Sequence, residues 1–203
     1  MVLAISPPVV ENSIPFERIL RFTAKEYNRL TEIGFFTTEH RVELLNGWLV
    51  TKMPQKSLHA TALDLLEEQL GELLPVPWTF RTQRPVALTG DSVPEPDLVV
   101  VKGPKRRFFK GHPTPKDIAV IVEVSDTTLE QDRGLKRSIY AQDRLPAYWI
   151  VNLVDNCVEV YTLPRGGKLP SYRQMRVYGA NDAVPVILEG ETIGEVPVAE
   201  LLQ

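Results

Sequence analysis

The 203-residue sequence carries 23 basic and 26 acidic side chains, a formal charge of −3, with 43% hydrophobic and 24% charged residues. That is one domain's worth of chain with enough apolar material for a core, which argues against a disordered tail, a collagen-like repeat or two domains. The single cysteine, Cys157, excludes a disulfide framework and a cysteine-based zinc cluster and suits a reducing compartment.

The opening MVLAISPPVV lacks a basic segment and is broken by Pro7 and Pro8, so it does not read as a signal peptide. No apolar run approaches the roughly 20 residues needed to span a bilayer. A cytoplasmic protein without a membrane partner is expected. Residues 1–20, with three prolines, read as a loosely held arm, and residues 21–203 as a single domain. Thr23 and Glu26 form a capping-box signature, which predicts a helix over Ala24 to Ile33 ending at Gly34. Asn46-Gly47 between apolar runs predicts a hairpin over residues 41–53.

Ser57 is a candidate cap for a helix in which Ala62, Leu63, Leu66, Leu70 and Leu73 recur at helical spacing. Strands are expected at about Trp78 to Leu88, Leu98 to Val101 and Ile118 to Ser125; the last two have the Val/Ile character of strands covered on both faces. Residues 129–144 read as a helix, AYWIVNLV and CVEVYTL as strands about a turn at Asp155-Asn156. Weaker strands follow at Tyr172 to Val177 and Val184 to Leu188, then a short helix at Val198 to Leu202. This order argues an α/β fold with a mixed sheet flanked by helices.

Charge is unevenly placed. Residues 102–116 carry Lys102, Lys105, Arg106, Arg107, Lys110 and Lys116 without an acid, and the rest of the chain has 17 basic against 26 acidic residues. A solvated loop and a polyanion contact are both open readings of that run. A second acid-free stretch, residues 160–181, adds four cations.

Strict alternation puts Ile118, Val120, Val122 and Val124 on one face of their strand and Ala119, Ile121, Glu123 and Ser125 on the other. Glu123 is then a lone charge in a buried strand, which requires a counter-charge such as a neighbouring basic side chain or a divalent cation. Asp97 stands at the mouth of the next strand after Pro94-Glu95-Pro96, either as a turn residue or as a ligand. Glu43 falls on the apolar side of the hairpin. His59 lies on the apolar side of its helix, as a core histidine or a site residue. Asp132, Lys136 and Tyr140, spaced i, i+4 and i+8, form one stripe, either an exposed ion pair beside an aromatic or part of a site.

Taken together, Glu43 in RVELLNG, His59, Pro96-Asp97-Leu98-Val99-Val100-Val101, Ile121-Val122-Glu123-Val124-Ser125, then Asp132, Lys136, Tyr140 and Tyr148-Trp149-Ile150-Val151 resemble the PD-(D/E)XK restriction-endonuclease-like superfamily. The similarity is closest to its Uma-two type endonucleases and covers about residues 22–162. The resemblance implies a restriction-endonuclease-like mixed sheet and a metal-dependent DNA endonuclease. It implies Asp97, Glu123 and Glu43 as ligands of Mg²⁺, with Mn²⁺ as substitute. The superfamily's lysine two residues after the second acid is here Ser125, and Lys136 on the next helix resembles a migrated replacement. Phosphodiester hydrolysis needs an activated water and charge compensation at phosphorus and the leaving oxygen, which carboxylate-held metal and a cation supply. His59 and Tyr140 are expected to support the site. Lys102, Lys105, Arg106, Arg107 and Lys110 lie in sequence between the two acids and are expected to contact DNA phosphates. A homodimer is expected from two-strand cleavage.

A rival reading keeps the fold without the chemistry, as a nucleic-acid-binding or regulatory module; the missing lysine and the acidic net charge favour it. A nucleophilic serine has no G-x-S-x-G to support it, and His40, His59 and His112 are too scattered for an H-E-x-x-H zinc site.

Overall fold

The computed structural model describes residues 19–37 and 40–202, so most of the expected N-terminal arm lies outside the described residues. Helix α1 (Ala24–Glu32) begins at the expected capping box: Thr23 Oγ1 accepts the Glu26 amide at 3.2 Å and Glu26 Oε2 accepts the Thr23 amide at 2.8 Å. Strands β1 (Val42–Leu45) and β2 (Trp48–Thr51) form the hairpin, and Asn46 and Gly47 both take the positive φ its tight turn requires. Helix α2 runs over Ser57–Leu73; Ser57 is its first residue and not its cap, a position held by Lys56 without a side-chain bond.

Six strands make the central sheet in the order β3 (Trp78–Thr82), β4 (Leu98–Lys102), β5 (Ile118–Ser125), β6 (Ala147–Asn152), β7 (Cys157–Arg165) and β8 (Ser171–Gly179). Among the described residues only β5 and β6 pair in parallel; the crossover between them carries helix α3 (Leu129–Gln131), a π-helical turn Asp132–Lys136 and helix α4 (Arg137–Gln142). The single helix expected over 129–144 is thus widened at its middle. Strand β3 stops well short of Leu88, because Gln83 adopts a positive φ and Pro85 has no amide to give a ladder. Residues 83–97 fold back on themselves instead, with Gln83 N–H on Asp97 O at 3.0 Å and Val86 N–H on Pro94 O at 3.0 Å.

One sheet face packs on Ala62, Leu63, Leu66 and Leu70 of α2 and on a hairpin of β9 (Ala183–Leu188) and β10 (Glu191–Pro197). Strand β10 was not visible in the alternation, since Glu191, Thr192, Gly194 and Glu195 interrupt it. The expected final helix is one 3₁₀ turn, Val198–Glu200. The other face packs on Leu45, Val86, Leu129, Ile139, Tyr140 and Leu145. A register shift beside Val100 and Val101 moves Ile118 to this second face and Ala119 to the first, reversing the strict alternation expected at the start of β5. No helix among the described residues is long and apolar enough to cross a membrane.

Candidate active site

The antiparallel pairing of β4 and β5 ends at Leu98 opposite Val122, so one further step brings Asp97 beside Glu123. Asp97 Oδ2 accepts the Val124 amide at 2.9 Å, and it lies 3.1 Å from Nε2 of His59 at the start of α2. The β1–β2 hairpin lowers Glu43 onto the same end of the sheet, where its Oε2 accepts the Glu95 amide at 3.0 Å. The crossover supplies the rest: Lys136 Nζ stands 3.0 Å from Glu123 Oε1, 3.3 Å from Glu43 Oε1 and 3.8 Å from Asp132 Oδ1. Tyr140 donates its hydroxyl to Glu123 Oε1 at 2.6 Å.

All six expected catalytic and supporting residues are therefore brought together. Asp132, Lys136 and Tyr140 are 1%, 6% and 0% exposed, which removes the alternative of an exposed ion pair. Glu43, His59, Asp97, Glu123, Asp132 and Lys136 line one open cleft, with Arg41, Lys52, Thr127 and Gln131 at its walls. Glu95 stays at the side of this cleft, tied to Lys52 Nζ at 2.9 Å.

Four buried carboxylates share one ammonium and one imidazole, and the protonation equilibria reflect that excess. Burial, reinforced by the charges of Asp132, Asp97 and Glu43, pushes Glu123 up to about 8 against the pull of Lys136. Burial likewise raises Asp132 against Lys136 and two hydroxyl donors. Asp97 is held below the usual range: burial acts to raise it, but the His59 hydrogen bond and charge, the Val124 amide and Lys136 together prevail. His59 is raised in turn, since Asp97 outweighs its burial. Lys136 is raised because Glu123, Glu43, Asp132 and Asp97 overcome the cost of burying its charge. The ammonium therefore persists, and the negative charge that remains in the cluster favours a proton on Glu123.

The fit to a divalent cation rests on particular oxygens. Asp97 Oδ1 and Glu123 Oε2 have no hydrogen-bond donor among the described residues, while both side chains line the cleft. Among those residues no three His, Cys, Asp or Glu side chains are grouped to clasp a metal by themselves. Magnesium is commonly held by one or two carboxylates with water and substrate phosphate completing its shell, so Asp97 and Glu123 suit it. Glu43 is committed to Lys136 and the Glu95 amide, and so is placed less well as a third ligand.

The basic run is not at this site. Strand β4 leads away from Asp97, and Lys102 at its far end is about 16 Å along the strand at 3.3 Å per residue. Residues that lie between the two acids in sequence thus sit at the opposite end of the sheet. Lys102 pairs with Glu189 at 2.5 Å, and Arg107 binds Asp117 at 2.8 Å and the Lys102 carbonyl at 2.9 Å. Lys105 stands over Phe80 at 5.5 Å, whereas Arg106 and Lys110 remain exposed on a 3₁₀ turn. Sequence reasoning also missed residues that matter here. Asp132 was legible in a stripe and among the residues of the resemblance but was given no role, Ser125 only as a departure from a pattern, and Arg41 and Lys52 flank a hairpin whose position depends on tertiary packing.

The family model described as "Uma2: Putative restriction endonuclease" matches residues 24–193. Among solved structures, a putative nuclease belonging to DUF820 from Anabaena variabilis ATCC 29413 shares the fold, with a TM-score of 0.64 and 14% identity over 89% of this chain and 97% of that one. No curated protein sequence matches the chain.

Proposed function

Because the chain belongs to the Uma2 family of putative restriction endonucleases, we propose that it hydrolyses DNA phosphodiester bonds with Mg²⁺, or Mn²⁺ in its place, held by Asp97 and Glu123. The observation that carries this reading is the pair of undonated oxygens, Asp97 Oδ1 and Glu123 Oε2, in one cleft with a buried ammonium 3.0 Å from Glu123. A divalent cation bound there lowers the pKa of a water and compensates charge on the attacked phosphate.

The side chains divide the remaining work. Lys136, with Glu43, Glu123 and Asp132 around its ammonium, has no free lone pair for proton abstraction. It acts as a fixed positive charge beside the phosphate and as a donor that orients the water. Glu43 holds Lys136. Tyr140 fixes Oε1 of Glu123, and His59 fixes Oδ2 of Asp97, so the other oxygen of each carboxylate faces the cleft. Arg41 at the wall is a cation placed for a flanking phosphate, with Lys52 beside it held by Glu95. Two copies related by a two-fold axis would place one such cleft on each strand of a duplex.

The test is cleavage of supercoiled plasmid with Mg²⁺ or Mn²⁺, with a chelator control and with the isosteric variants Asp97→Asn and Glu123→Gln. Metal-dependent nicking or linearisation that both variants abolish is expected. Absence of cleavage with DNA binding retained in a gel shift would replace this reading with a non-catalytic binding module of the same fold.

A further inference from the structure

We infer that Asp132, anchored by Ser125 and Thr128, is a positioning residue that holds the Lys136 ammonium in the cleft. Ser125, where the superfamily pattern has lysine, serves as that anchor. The catalytic part of this inference rests on the nuclease reading; the positioning part does not.

Ser125 Oγ and Thr128 Oγ1 each donate to Asp132 Oδ2 at 2.7 Å. The Asp132 backbone is fixed as well, its amide on Thr128 O at 3.0 Å and its carbonyl accepting the Tyr148 hydroxyl at 3.1 Å. Both hydroxyls go to the same carboxylate oxygen. The other, Oδ1, is buried without a hydrogen-bond donor among the described residues, and Lys136 Nζ lies 3.8 Å from it. A neutral side chain could accept the same two hydroxyls, so burying a charge here is explained by the ammonium it faces.

Local backbone geometry serves the same pair. Asp132 and Lys136 open and close the π-helical turn, in which the Arg137 amide reaches back to the Asp132 carbonyl. Such turns are frequent at functional sites because they re-aim side chains. Here the turn directs both into the cleft and extends the stripe to Tyr140.

The device has a use. Glu123, the nearest partner of Lys136, is also the carboxylate offered to a cation. When its charge is engaged elsewhere, the lysine loses its closest counter-charge. Asp132 stays in place because five hydrogen bonds hold it, and with Glu43 it keeps the ammonium at the reacting phosphate.

The experiment combines ¹⁵N NMR of the lysine side chains with single-turnover cleavage on the full chain. The buried, ion-paired Lys136 ammonium is identified as the signal missing in Lys136→Met. In Asp132→Asn that signal is expected to shift or broaden away, and the cleavage rate to fall at least tenfold, with DNA affinity changed less than twofold. Ser125→Ala combined with Thr128→Ala, which keeps the carboxylate but frees it, should move the signal the same way, whereas Ser125→Thr, which keeps the hydroxyl, should not. An ammonium signal unchanged in folded Asp132→Asn would overturn the inference. A signal that responds while the wild type cleaves no DNA would sustain the positioning role and overturn the nuclease reading.

Discussion

Nε2 of His59 lies 3.1 Å from Oδ2 of Asp97, the oxygen that also accepts the Val124 amide at 2.9 Å. One oxygen of the carboxylate is thereby committed to helix α2 and strand β5, and the other is left to the cleft. The same contact gives the pair a pH signature. A raised His59 contributes stability that is complete below its ordinary value of 6.5 and is lost as pH rises through its folded value. A lowered Asp97 contributes stability present above its ordinary 3.8 and lost as pH falls. Denaturant unfolding should therefore show wild type more stable than His59→Gln by on the order of 1 to 2 kcal/mol near pH 5.5, with the gap shrinking towards pH 9. A gap that is flat or grows with pH would rule out an ionic pair.

Metal affinity should depend on pH through Glu123. Its folded value, pushed up to about 8 from an ordinary 4.5, means the apo protein takes up protons relative to the unfolded chain between those limits. This group therefore lowers apo stability as pH rises across that window. A cation that requires the ionised carboxylate competes with the proton, so the Mn²⁺ concentration giving half of the thermal stabilisation should fall by about tenfold between pH 6.5 and 7.5, approaching one proton displaced per metal. Calorimetric titration that finds no proton release would contradict Glu123 as a ligand.

Removing the ammonium should be costly. In Lys136→Met, Glu43 and Glu123 lose the cation between them while remaining buried. Breaking a buried ion pair from one side costs about 3 to 5 kcal/mol, against a near-neutral change when both partners become apolar. Urea unfolding of Lys136→Met should show a loss of that size, and adding Glu123→Leu should recover part of it. Equal stability of wild type and Lys136→Met would mean the cluster is wetter than these contacts imply.

The two sets of cations should behave differently towards DNA. Arg106 and Lys110 stand at the far end of β4 from Asp97, so Arg106→Ala and Lys110→Ala should leave the single-turnover cleavage rate within twofold. If they touch phosphate, each would lower the salt slope of binding by about 0.9. Arg41→Ala, in the cleft wall, should lower that rate by about tenfold. Reversed effects would place the substrate at the basic turn.

What could be read directly in the residues was local. The Thr23–Glu26 capping box and the Asn46-Gly47 turn are made by side chains three or fewer positions apart, and both formed as expected. The span Ile118 to Ser125 matches its strand to the residue, because an unbroken β-branched run bounded by turns has few alternatives. Glu123 was also legible, as a charge where burial tolerates none without a partner.

Tertiary structure decided the rest, and each case turns on distance in space. The register shift that exchanges the faces of Ile118 and Ala119 depends on strand β4, some 20 residues earlier in the chain. The basic run lies between Asp97 and Glu123 in sequence but at the far end of the sheet, since antiparallel strands bring together the ends of a segment and send its middle away. Helical spacing placed Asp132 and Lys136 on one stripe without deciding between solvent and core; the crossover from β5 to β6 buried them. By itself the sequence determined which short segments become helix, turn and strand, because those preferences arise within a few bonds. Only the folded chain decided which charges meet, because ion pairing and burial depend on neighbours that can be distant in sequence, as Glu43 and Lys136 are.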